Sequence, residues 1–109
     1  MAVVVVVGTD LILWSRIEGQ LRPGGHEVRR VPPGAPLPDP DGAQLAICDV
    51  EGVDPAAAVA ALRPARLLGF GSHLSPEALR RAKEAGFDRV VARSAVAERL
   101  PSLVDDLLA

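Results

Sequence analysis

Apolar runs and helically spaced segments alternate along the chain. Val3 to Val7 is an unbroken β-branched run. Continuous valine, rather than polar–apolar alternation, predicts a strand covered on both faces, as in a parallel sheet. Leu11 to Leu21 then places apolar residues at 13, 14, 17 and 21, a helical spacing, with Thr9 or Asp10 available as N-cap. Pro23-Gly24-Gly25 ends that helix. His26 to Val31 reads as an edge strand, with Glu27 outward, Val28 and Val31 inward, and Arg29 and Arg30 mixed.

The segment 32–42 holds five of the ten prolines. Proline removes amide donors and disfavours helix at the preceding residue, so an extended surface connection is expected in place of one crossover helix. Gln44 to Asp49 is a second buried strand, ending on an acid. Asp54-Pro55 opens a helix through Leu62, with Asp as N-cap and Pro at the first helical position. Arg66 to Phe70 is the next strand, running into Gly71-Ser72-His73. Ser75-Pro76-Glu77 opens another helix by the same logic, and Gly86 supplies its left-handed end. Asp88 to Ala92 is the last strand. Ser94 to Leu108 is the last helix, broken near Pro101. This alternation predicts an α/β fold: a single doubly wound, five-stranded parallel sheet with right-handed crossovers. Its 109 residues fit one domain over 1–109.

Composition narrows the function classes. An apolar fraction of 49% and a charged fraction of 24% fit a soluble globular protein. Net charge is −2, which argues against nucleic acid or an anionic membrane as partner. The run Met1 to Val7 is far shorter than the roughly 20 residues that span a bilayer, and no basic stretch precedes it. A single cysteine, Cys48, excludes an internal disulfide and fits the cytoplasm; its place within a strand predicts core packing. No Gly-x-Gly-x-x-Gly follows the first strand, and Gly69-Phe70-Gly71-Ser72 lacks the Gly-Lys-Ser/Thr end of a phosphate loop. No cofactor is expected.

In open parallel sheets ligands bind beyond the carboxyl ends of the strands. The residues there are Thr9 and Asp10, Asp49 and Glu51, Ser72 and His73, and Arg93 and Ser94. Asp49 is a candidate nucleophile or ligand, or else a solvated loop acid or helix cap. Thr9 and Asp10 suit capping, worth about 1 kcal/mol. Glu51 is expected to be solvated. His73 can act as acid, base or ligand near neutral pH, or sit idle in a loop. With one histidine there and no second cysteine, zinc is unsupported.

This order of elements resembles the receiver domain of bacterial response regulators, of the chemotaxis CheY type. The local match is Ala82-Lys83-Glu84-Ala85-Gly86-Phe87-Asp88-Arg89-Val90-Val91-Ala92-Arg93-Ser94, together with Leu45-Ala46-Ile47-Cys48-Asp49 ending on the phospho-accepting position. The resemblance implies strand order 2-1-3-4-5. It also implies a mechanism in which an acid pair after the first strand holds Mg²⁺ and the central Asp attacks phosphorus. A Thr/Ser after the fourth strand senses the phosphate, and a Lys neutralises charge. Here the acid pair falls on Gly8 and Thr9, with Asp10 one residue late. The Thr/Ser position falls on Gly71, with Ser72 adjacent. The Lys is Arg93, and the Pro after it is Ser94, a helix N-cap. Only Asp49 keeps its family identity. The expectation is a stand-alone pseudo-receiver without catalysis or metal, meeting another protein or a second copy through residues 75–109. The alternative is an anion or phosphoryl site drawn from Thr9, Asp10, Asp49, Ser72, His73, Arg93 and Ser94, with Asp49 as residual phospho-acceptor.

Overall fold

The computed structural model describes residues 2–31, 42–72 and 74–109. The strands are β1 (Val3–Val7), β2 (Glu27–Val31), β3 (Leu45–Asp49), β4 (Arg66–Gly71) and β5 (Arg89–Ala92). The helices are α1 (Leu11–Leu21), α2 (Pro55–Leu62), α3 (Pro76–Ala85) and α4 (Arg93–Leu108). All neighbouring strands pair in parallel, in the order β2-β1-β3-β4-β5. The expected sheet and order are present, and His26–Val31 does supply an edge. The proline-rich connection lies outside the described residues, except for Gly42.

The valine run is explained by two core layers. Val4 and Val6 face α1 and α4 in a layer with Leu13, Ile17, Leu45, Ile47, Leu68 and Leu100. Val5 and Val7 face the other side, with Ala46, Cys48, Ala58, Leu62, Leu67 and Ala82. Small residues on this second side let α2 and α3 approach closely. At Gly69 an added Cβ would fall 2.7 Å from Val50 Cγ1 and 2.9 Å from Phe87 Cδ2. The glycines of Gly69-Phe70-Gly71 are thus packing residues beneath a helix layer.

Helix starts depart from the sequence reading. Proline occupies the first helical position of α2 and α3, but neither Asp54 nor Ser75 caps with its side chain. Ser94 is not an N-cap: β5 runs straight into α4, which starts at Arg93 with Ala92 as the capping position. With no loop between strand and helix, no spare residue can lend a side chain to the first turn. Ser94 is instead exposed within that turn. α4 does break near Pro101, at Arg99 (φ −128, ψ 24).

At the amino ends of the strands, Asp88 closes the molecule. Its Oδ2 accepts from the Leu67 N–H at 2.7 Å and from Arg63 at 3.0 Å, while Arg66 lies 3.6 Å from Oδ1. Arg63 also donates to the Gly86 carbonyl, so one guanidinium joins the ends of α2 and α3. Desolvation pushes the Asp88 carboxyl up, but the Leu67 N–H, the Arg63 bond and the charges of Arg63 and Arg66 outweigh it and hold it below the usual value.

Candidate functional site

The carboxyl ends of β1, β3, β4 and β5 bring Asp10, Asp49, Phe70 and Arg93 together. Asp10 precedes α1 with extended backbone (φ −80, ψ 103), and its Oδ1 accepts from the Ile12 and Leu13 N–H groups at 3.0 Å. Its other oxygen, Oδ2, pairs with Arg93 Nη1. Asp49 ends the central strand, buried at 8% exposure. Its Oδ1 accepts from the Glu51 N–H at 3.0 Å, and its Oδ2 lies 3.8 Å from Arg93 Nη2. The Arg93 guanidinium carbon sits 5.5 Å from the centre of the Phe70 ring, within cation–π range. One planar guanidinium therefore spans both carboxylates and rests on an aromatic ring.

The other candidates behave differently. Thr9 is exposed, outside this cluster. The Ser72 hydroxyl accepts from the Leu74 N–H at 3.1 Å in a local turn, and its own N–H goes to Glu51 Oε1 at 3.1 Å. Ser72, Arg93 and Ser94 do line a shallow groove of about 400 Å³, with Ala97 and Glu98 completing it. His73 lies outside the described residues. Glu51, expected to be merely solvated, is exposed but engaged: a hydrogen bond from the Ser75 side chain, the Ser72 N–H and the nearby Arg93 charge hold its carboxyl below the usual value. Cys48 is fully buried, and burial, with the Asp49 charge adding, pushes its thiol up to about 12. Sequence reasoning missed Glu51 and Phe70 as partners; the only local signal was the two-residue spacing of Asp49 and Glu51.

No protein-family model matches the chain, and no curated protein matches it. Solved structures match it closely in shape. A response regulator from Thermotoga maritima matches with TM-score 0.76 at 12% identity, over 99% of this chain and 98% of its own. The N-terminal domain of a response regulator/sensory box/GGDEF 3-domain protein from Carboxydothermus hydrogenoformans matches with TM-score 0.71 at 16% identity, over 97% and 93%. NtrX from Brucella abortus gives TM-score 0.77 at 17% identity; the match covers 98% of this chain but 26% of the NtrX chain. The fold is that of a response-regulator receiver domain.

The resemblance to receivers implies a divalent cation at this edge of the sheet. Mg²⁺ needs carboxylate oxygens free to turn toward it in octahedral array. Gly8, where a receiver has an acid, carries no side chain; a Cβ there would lie 3.4 Å from Asp49 Cβ. Both Asp10 oxygens are committed, one to helix amides and one to Arg93. Asp49 gives one oxygen to the Glu51 amide and turns the other to Arg93. Among the described residues no group of three or more His, Cys, Asp or Glu is placed to hold a metal. The residues present do not fit the ion.

Proposed function

We propose that this chain is a receiver-fold interaction module, a single domain over 1–109, that does not run metal-dependent phosphotransfer. The observation that carries the reading is Arg93 lying between Asp10 and Asp49, with both carboxylates engaged by the protein's own cation. Phosphorylation of Asp49 would turn its single carboxylate charge into an acyl phosphate of about −2, a net gain of about −1, beside Asp10 with only one guanidinium to offset it. The module would work through contact with another protein or a second copy, using the surface from α3 through α4. That surface carries charges of both signs, paired locally as Arg80 with Glu77 and Glu84, and Arg89 with Asp106.

The test is a thermal-shift titration with Mg²⁺ plus beryllofluoride, with acetyl phosphate and with phosphate alone, repeated on Asp49→Asn. The reading expects no metal-dependent shift. A shift that disappears in Asp49→Asn would overturn it and restore Asp49 as phospho-acceptor. A metal-independent shift with phosphate that disappears in Arg93→Ala would favour an anion site at the groove of Ser72, Arg93 and Ser94 instead.

A further inference from the structure

The bend in α4 leaves backbone groups that a regular helix would pair. Pro101 has no N–H to give to the Ala97 carbonyl, and the non-helical Arg99 interrupts the ladder just before it. The missing partners come from another helix. Gln20, near the end of α1, donates from Nε2 to the Val96 carbonyl at 3.0 Å and to the Ala97 carbonyl at 3.2 Å. Its Oε1 accepts from the Leu100 N–H at 3.2 Å. A primary amide is the side chain that supplies both donors and an acceptor at one place. Nε2 also lies 3.2 Å from the Arg16 carbonyl, which ties the amide to its own helix.

α1 and the Asp10 that caps it therefore grip the first half of α4 at two points: Asp10 holds Arg93 at its start, and Gln20 holds it at the bend. From Arg93 to Leu100 the helix rises about 10 Å at ~1.5 Å per residue. A change of about 20° at the bend, the size of an ordinary proline kink, would move the first turn by roughly 4 Å. That is as large as the 3.8 Å separation of Arg93 from Asp49.

We propose that Gln20 is a positioning residue that fixes the bend in α4 and thereby sets Arg93 across Asp10 and Asp49. This rests on the reading of Arg93 as the internal cation of the site.

The experiment uses the full chain with Gln20→Ala, Arg93→Ala, the double variant, and each Gln20 state repeated in Pro101→Ala. Amide exchange is followed residue by residue by NMR, with urea midpoints and the Arg93 side-chain Nε resonance. In Gln20→Ala the Leu100 amide should exchange at least tenfold faster relative to Ile47 and Leu68 in the sheet. The Arg93 Nε signal should shift toward that of a free guanidinium. The midpoint loss of the double variant should be smaller than the sum of the two single losses, and Pro101→Ala, by returning an N–H to Ala97, should reduce the loss from Gln20→Ala. Unchanged Leu100 exchange overturns the proposal. Faster Leu100 exchange with additive losses and an unmoved Arg93 signal also overturns it, leaving Gln20 as packing alone. If Gln20→Ala does not fold, Gln20→Glu serves, since it keeps the acceptor for Leu100 and removes both donors. A parent response to Mg²⁺ with beryllofluoride would remove the internal-cation reading without touching the Leu100 result.

Discussion

Replacing Asp88 by alanine should cost the fold about 2–2.5 kcal/mol near neutral pH. The Leu67 N–H, bonded to Oδ2 at 2.7 Å, would lose a charged acceptor in a part-buried position; such a loss runs to about 1.5–2 kcal/mol. The ion pair with Arg63 adds only about 0.5 kcal/mol, because Arg63 is 37% exposed and water screens it. For a domain of this size each kcal/mol moves Tm by roughly 4–8 °C, so a fall of at least about 8 °C is expected. Asp88→Asn keeps an oxygen for Leu67 but loses the charge, and should cost about 1 kcal/mol. The pH dependence follows from the direction of the shift. The folded carboxyl titrates below its unfolded value near ~3.9, so its stabilisation is fully present above that value. As pH falls through the folded value the carboxylate is protonated and the contribution is lost. Urea midpoints of the parent and Asp88→Asn should thus differ at pH 7 and converge as pH is lowered from 5 toward 2. A Tm drop under about 2 °C for Asp88→Ala, or a gap between parent and Asp88→Asn that stays constant down to pH 2, would refute this account.

Gly69→Ala should destabilise by about 1–3 kcal/mol, because its Cβ would fall 2.7 Å from Val50 Cγ1 and 2.9 Å from Phe87, both in a packed layer; a denaturation midpoint equal to the parent's would show that this layer has slack. Cys48, buried and with its thiol pushed up to about 12, should react with a thiol reagent only as fast as the protein unfolds. Labelling that saturates in the folded state, with the midpoint unchanged, would contradict that placement. Gly8→Asp combined with Arg93→Ala puts a carboxylate beside Asp49 and removes the competing cation. That variant should gain a Mg²⁺-dependent rise in Tm worth about 2.7 kcal/mol at 100 times its dissociation constant; no rise would mean that position 8 does not face the metal position.

The fold was legible because its strongest signals are local. A strand buried on both faces has to be apolar without interruption, and Val3–Val7 is; α1 starts beside an acid whose carboxylate does cap it and ends before Pro23-Gly24-Gly25. The start of α4 was misread for a reason just as local. Serine is a preferred N-cap, but β5 leaves no loop in which Ser94 could act, so the helix begins one residue early at Arg93. The site was legible only as a set of positions. Asp10 and Arg93 are 83 residues apart in sequence, and Gln20 lies 80 from Leu100. No spacing rule links them; only the topology makes them neighbours. Pro101 did mark the break in the last helix, but nothing in the sequence said that a glutamine on the first helix would meet the carbonyls there.

The identity of residue 93 sets how this site differs from one built around a lysine. A lysine ammonium is a compact point charge on a flexible stem, free to follow a phosphoryl group as it arrives. A guanidinium is planar and forked, and here its two Nη atoms are turned to two different carboxylates while its face rests on Phe70. Moving it to meet a new anion would break contacts at both carboxylates and at the ring together. The lack of a carboxylate at Gly8 and the forked cation at Arg93 are compatible with each other. Without a metal ligand at position 8, Asp49 needs another cation, and Arg93, anchored on Asp10, supplies it. The helix that begins at Arg93 is then tied to the central strand through charge rather than through a ligand. On the proposed reading, a partner would meet α4 held in one fixed arrangement.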